Sequence, residues 1–217
     1  VVGLIMLQSC LNEEKGPAIY VVPDNYLVKQ VIDEAKRLGI SATEDKDDYS
    51  YSNSKAILVT SIQTIVNGYS YFGMREGGNY PIGSIIIDDV HACMDKIISQ
   101  FMIKIDAESD AYKELIAIFS SSLKDYNPKN YIDIVEMKDC RKKMLVPYWE
   151  WQRQQDNIYR ILTKYDNSKN SAIYFGLPLI ERSLETSDCI ITASAIEISP
   201  KGIDLDKISS LEEASRR

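Results

Sequence analysis

The chain has 217 residues, 45% hydrophobic and 26% charged, which excludes wholesale disorder and allows one sizeable core, or one core carrying an insertion. A net charge of −7 excludes a broad basic face for nucleic acid, so any such contact is local or shared with a partner domain. The four cysteines Cys10, Cys93, Cys140 and Cys189 lie far apart with no C-x-x-C, which argues against a zinc knuckle or compact iron–sulfur site and fits a reducing cytoplasm.

Residues 1–12 read as a helix apolar on most sides, hence buried. The stretch "VVGLIMLQSC" has no basic leader and no small-residue cleavage site, so it does not read as a signal peptide. No apolar run approaches a membrane span. Val1 has no capping residue before it, and "SSLEEASRR" is helical in composition without a stop, so the sequence reads as a piece of a longer protein.

"AIYVV" (18–22), bounded by Gly-Pro and Pro-Asp, reads as a buried strand. In "DNYLVKQVIDEAKRLGI", Leu27, Val28, Val31, Ile32, Ala35 and Leu38 fall at helical spacing. Asp24 or Asn25 can cap the start and Gly39 the end. A polar, acidic loop (41–54) follows, then a buried strand "KAILVT" (55–60), a short helix "SIQTIVNG" and a loop. "SIIID" (84–88) reads as a third buried strand, leading into a helix from Asp89 or Val90 with Cys93, Met94, Ile97, Ile98, Phe101 and Met102 on one face. Continuously apolar strands alternating with amphipathic helices point to an α/β fold, a parallel sheet covered on both faces.

The pattern changes over 106–170. "DAYKELIAIFSSSL" and "VPYWEWQRQQDNIYRILTKY" read as long helices of a helical insertion. "SAIYFG" (171–176) and "CIITASAIEISP" (189–200) read as strands where the sheet resumes. In the insertion, Trp149 and Trp151 stand at i and i+2 and cannot share a helix face; one can pack with the other exposed to a partner or a base, and the reading taken is core packing. Arg141-Lys142-Lys143 reads as a solvated basic turn.

Asp88-Asp89-Val90-His91, at the end of "SIIIDDVHACM", holds the only histidine. Ligands bind at the carboxyl edge of open α/β sheets, and a carboxylate there can hold Mg²⁺ against nucleotide phosphates. The second acid can orient or deprotonate a water, and the histidine can link the site to another surface by hydrogen bonding. Asp-Asp after an apolar strand is equally ordinary helix capping.

"SIIIDDVHACMD" resembles motif II, the Walker B or DEAD/DEAH-type box, of superfamily-two helicases. "IYVVPDNYLVKQVIDEAKRLGI" resembles motif Ia of that family, with Pro23, Leu27 and Gln30 in place. "AILVTSIQTIVNG" is similar to the following threonine-containing motif, carried by Thr60 and Gln63. The three stretches occur in the family's order, and the resemblance covers residues 1 to about 100. It implies a RecA-like (P-loop NTPase type) fold and an incomplete N-terminal ATP-binding domain over 1–217, since no G-x-x-x-x-G-K-[ST] loop occurs and the Ser/Thr-Ala-Thr motif III is missing.

The resemblance further implies ATP and Mg²⁺ as cofactors. Asp88 would be the metal ligand, Asp89 would stand where the family usually has a glutamate base, and His91 would be the last position of the box. It implies contact with a DNA or RNA backbone through Pro23, Asn25, Gln30, Thr60, Ser61 and Gln63, using helix N-termini and short polar side chains that need little positive charge. A second RecA-like domain of the same parent chain would be the other partner. For each strand-contact residue the bland alternative is a helix cap or a turn. Two other classes stay open: a non-catalytic α/β interaction module with a degenerate nucleotide site, and a metal-dependent hydrolase ligating through Asp88, Asp89 and His91.

Overall fold

The computed structural model describes residues 1–72, 80–166 and 171–201. The chain divides into two compact units, Val1–Gln100 and Phe101–Arg217.

The first unit contains helix α1 (Val2–Asn12), strand β1 (Ala18–Val22), helix α2 (Asn25–Arg37), a short strand β2 (Ala42–Thr43) and a helical turn α3 (Tyr49–Ser52). Strand β3 (Ile57–Ser61), a second helical turn α4 (Ile62–Ile65), strand β4 (Ser84–Ile87) and helix α5 (Val90–Gln100) complete it. The strands form one sheet in the order β2-β3-β1-β4, with every pairing parallel. The α/β expectation therefore holds.

β1 lies inside the sheet and all five of its residues are buried, which is why it reads as an unbroken apolar run. Ala18, Tyr20 and Val22 pack with Leu4, Leu7 and Leu11 of α1 and Val28 and Ala35 of α2. Ile19 and Val21 face the opposite layer, with Tyr51, Ile62 and Cys93. Each such aliphatic side chain contributes about 1.5–3 kcal/mol by leaving water.

α2 ends as its sequence implies. Gly39 adopts φ +69°, and the Ile40 N–H donates to the Ala35 carbonyl at 2.9 Å, closing the helix end. α1 comes so close to β1 that a Cβ on Gly3 would lie 2.8 Å from a Tyr20 ring carbon.

Three expectations for this unit need correction. α1 is not buried all round: Leu4, Leu7 and Leu11 form one buried stripe, while Val2, Ile5 and Met6 are exposed. β4 is not a fully buried strand either, because it is the sheet edge; Ile85 and Ile87 are 44% and 39% exposed. Met94 of α5, expected on the apolar face, is also exposed.

The second unit begins with β5 (Ile103–Asp106), α6 (Asp110–Tyr126) and α7 (Pro128–Tyr131), then a π-helical turn (Ile132–Glu136) and β6 (Lys143–Leu145). Helices α8 (Tyr148–Arg153), α9 (Gln155–Tyr165) and α10 (Ala172–Ile180), a 3₁₀ turn (Glu181–Thr186) and strands β7 (Asp188–Thr192) and β8 (Ala195–Ser199) follow. The strands pair antiparallel in the order β5-β8-β7-β6. The parallel sheet therefore does not resume after the long helices; β7 and β8 form a hairpin within a separate sheet.

"SAIYFG" is not a strand. It opens α10, whose Ser171 hydroxyl accepts from the Tyr174 N–H at 3.0 Å, and Ile173, Leu177 and Ile180 recur at helical spacing. The helix expected from 146 to 165 is broken at Gln154 into α8 and α9. Trp151 is 1% exposed, stacks near Phe119 and donates its indole N–H to the Leu184 carbonyl at 2.9 Å. Trp149 is 62% exposed, so core packing holds for Trp151 and not for Trp149. In the basic turn, Arg141 pairs with Asp139 and Lys142 with Asp133.

Candidate functional site

Parallel pairing places the carboxyl ends of β1, β3 and β4 on one edge of the first sheet. Asp88 follows β4 directly and its N–H donates to the Val21 carbonyl at 2.8 Å, so the backbone continues the ladder by one residue. Its side chain falls on the face of Tyr20 and Ile86 by the two-residue period of a strand. There the Tyr20 phenol lies near the Asp88 carboxylate. Burial, then the charge of Asp88 and a hydrogen bond to it, pushes the Tyr20 phenol up to about 12. Tyr20 thus remains a protonated donor at neutral pH. The sequence reading missed this residue; its one signal was a tyrosine inside an otherwise aliphatic strand.

Asp89 has φ +45°, a left-handed conformation that few residues other than glycine adopt. Its Oδ1 accepts the Ala92 N–H at 3.2 Å and its carbonyl accepts the Cys93 N–H at 3.0 Å. Asp89 is therefore the cap of α5, the alternative that the sequence left open, and one carboxylate oxygen stays uncommitted to that bond. The Cys93 thiol donates to the Asp88 carbonyl at 3.3 Å. Burial, and then the charges of Asp89, Asp88 and Asp24, push this thiol up.

His91 lies exposed in the first turn of α5, and among the described residues it has no hydrogen-bond partner. Asp24 instead ties the β1–α2 turn to α5 through an ion pair with Lys96 at 3.1 Å, worth about 0–1 kcal/mol at such exposure.

The strand-contact candidates divide. Asn25 opens α2 and is exposed, while Pro23 behind it is buried. Thr60 and Ser61 end β3 at 7% and 1% exposure, and Ser61 shares a hydrogen bond with Thr64 at 3.2 Å. Asn25, Thr60 and Thr64 line a cavity of about 400 Å³ that also takes in Glu44, Lys46 and Phe72. Gln63 is half-buried in α4, and exposed Gln30 lies further along α2; neither lines the cavity. Glu44, Lys46 and Phe72 come from loops that hold no periodic pattern, so the sequence offered no way to place them here.

The cavity and Asp88 share the sheet edge but not one pocket. β1 lies between β3 and β4, which sets the two roughly 10 Å apart across the strands. Among the described residues no three Asp, Glu, His or Cys side chains gather as a metal cage, and no helix is long and apolar enough to cross a membrane. The chain matches no known family model, no curated protein and no solved structure.

Proposed function

We propose that the chain is part of the motor domain of an ATP-dependent nucleic-acid helicase or translocase, with a RecA-like first domain. One placement carries this reading: Asp88 and the Asn25–Thr60 cavity lie on the same carboxyl edge of a parallel sheet, where open α/β sheets bind ligands. The donor set suits Mg²⁺ brought by nucleotide phosphates, since such an ion needs only one or two protein carboxylates and keeps several waters.

In this reading Asp88 holds the ion, and the Tyr20 hydroxyl fixes the carboxylate that does so. The free oxygen of Asp89 orients the attacking water and takes its proton. Mg²⁺–ATP, when bound, supplies the phosphoryl group to be transferred and the charge that polarises it. Asn25, Thr60 and the start of α2 meet a DNA or RNA strand. The 217 residues hold no G-x-x-x-x-G-K-[ST] loop, so this chain alone should hydrolyse ATP poorly. In the intact protein, Asp88→Ala should abolish ATP hydrolysis while circular dichroism stays unchanged. Undiminished turnover in that variant refutes the assignment.

A second reading, a non-catalytic module with a degenerate nucleotide site, is favoured by the use of Asp89 as a cap. It predicts nucleotide binding without hydrolysis in the intact protein.

A further inference from the structure

The cavity beside Asn25 and Thr60 is poorly suited to a phosphate. The carboxylates of Glu44 and Asp45 line it and repel phosphate oxygens. Its lysine offers little compensation. The Lys46 ammonium pairs with Asp47 at 2.6 Å and lies over the rings of Tyr71 and Tyr80, 4.6 and 5.2 Å from their centres. The stem of Lys46 is what remains for the cavity wall.

Three polar groups there have no hydrogen-bond partner among the described residues: the Asn25 amide, the Glu44 carboxylate and the Thr60 hydroxyl. Thr60 lines the cavity at 7% exposure, while Asn25 and Glu44 stand exposed at its rim. The remaining wall is apolar, with Val28, Leu58 and Phe72. A ligand that satisfies this set has a flat apolar body, a hydrogen-bond donor for a carboxylate, and a neighbouring acceptor for an amide N–H. The volume, about 400 Å³, lies in the range of small-molecule sites.

We propose that this cavity is a nucleobase pocket, which holds one unstacked base of a bound single strand and prefers bases that carry an amino group beside a ring-nitrogen acceptor, cytosine and adenine, over uracil. The ring stacks on Phe72 and packs against Val28. The amino group donates to Glu44, in the manner of an acidic side chain reading the cytosine amino group. The Asn25 amide pairs with the ring edge, and Thr60 takes up the remaining hydrogen bond. This inference rests on the strand-binding reading above and gives it a specificity. It also gives the acidic lining a use.

The test is fluorescence anisotropy of the 217-residue chain with labelled single-stranded oligocytidine and oligouridine at one fixed salt concentration, which such affinities require. The cytosine strand should bind about fivefold more tightly or better, the low end of what a matched base-edge contact supplies. Glu44→Ala and Thr60→Val should each reduce that preference. Phe72→Ala should weaken both strands together, as loss of stacking does. Circular dichroism of each variant checks the fold, and Glu44, being exposed, is the variant that leaves the core untouched. Equal affinity for the two strands overturns the pocket and leaves strand binding standing. A cytosine preference that survives both Glu44→Ala and Thr60→Val also overturns it. Failure of the folded chain to bind either strand overturns the pocket and the strand-binding reading together.

Discussion

Asp89 is asked to do two things, and three substitutions separate them. It caps α5 through the Ala92 N–H and does so at φ +45°. Asparagine caps as well as aspartate and tolerates the left-handed region, so Asp89→Asn should change stability by no more than about 0.5 kcal/mol, the share of the lost charge at the helix start. Alanine loses the cap, about 1 kcal/mol, and keeps an ordinary side chain at positive φ, so Asp89→Ala should cost about 1–2 kcal/mol. Glycine caps nearly as well and relieves the strain, so Asp89→Gly should be neutral or stabilising by up to about 1 kcal/mol. In a unit of this size the alanine loss lowers Tm by roughly 5–10 °C. Denaturant titration of the chain reads these differences. All three variants should lower ATP turnover of the intact protein about 10²–10⁴-fold, because each removes the proposed base. Wild-type turnover in Asp89→Asn would leave Asp89 as a cap and nothing more. Equal stability of the alanine and glycine variants would refute the strain argument.

Tyr20→Phe removes the hydroxyl that faces Asp88 and should raise the Mg²⁺ concentration needed for half-maximal ATP turnover several-fold while leaving Tm within a few degrees; an unchanged Mg²⁺ dependence shows that Tyr20 only packs. Trp151→Ala should destabilise the second unit by about 3–5 kcal/mol in denaturant, since it opens a cavity and strands the Leu184 carbonyl, whereas exposed Trp149→Ala should stay within about 0.5 kcal/mol. Tyr51 is fully buried, donates to the Pro81 carbonyl, and burial pushes its phenol up to about 12. A raised folded value means its contribution is complete below about pH 10, the unfolded value, and is lost as pH climbs from there to about 12. Tyr51→Phe should flatten that part of the stability profile by up to about 2 kcal/mol.

The first unit was legible because its signals are local. β1, α2 and β3 are bounded by Gly, Pro and Asn-type residues and match one periodicity each. β4 was half legible: a run of isoleucines states a strand, but not that it lies at the edge, which depends on what pairs beside it. The second unit was less so. "SAIYFG" is short and apolar, and a stretch of that length fits a buried strand or a helix equally; the Ser171 cap decides it. β5 and β6 are four and three residues long and pair with strands far along the chain, contacts that no window of sequence displays. Of the site, Asp88, Asn25 and Thr60 could be read because strand ends announce them. Tyr20, Glu44 and Phe72 could not, since only folding brings them there.

β1 gives the two halves of the edge a common support. Val21 is the register partner of Thr60 on one side and of Ile87 on the other. The Val21 carbonyl accepts the Asp88 N–H, and two residues later the chain turns through buried Pro23 and the N-cap Asp24 into α2, whose first residue is Asn25. The Asp88 carboxylate and the Thr60 cavity are therefore each one ladder step from the same buried residue. A sheet interior of this kind is close-packed and stiff, so the separation between Asp88 and Thr60 is set by β1 and does not need the loops to define it. The exposed side chains at this edge are Glu44 of the cavity and Val90 and His91 at the α5 start, while Phe72 packs against the core and Tyr80. In the proposed reading, the Lys96–Asp24 ion pair at 3.1 Å is a direct link from α5, which follows Asp88, to the start of α2.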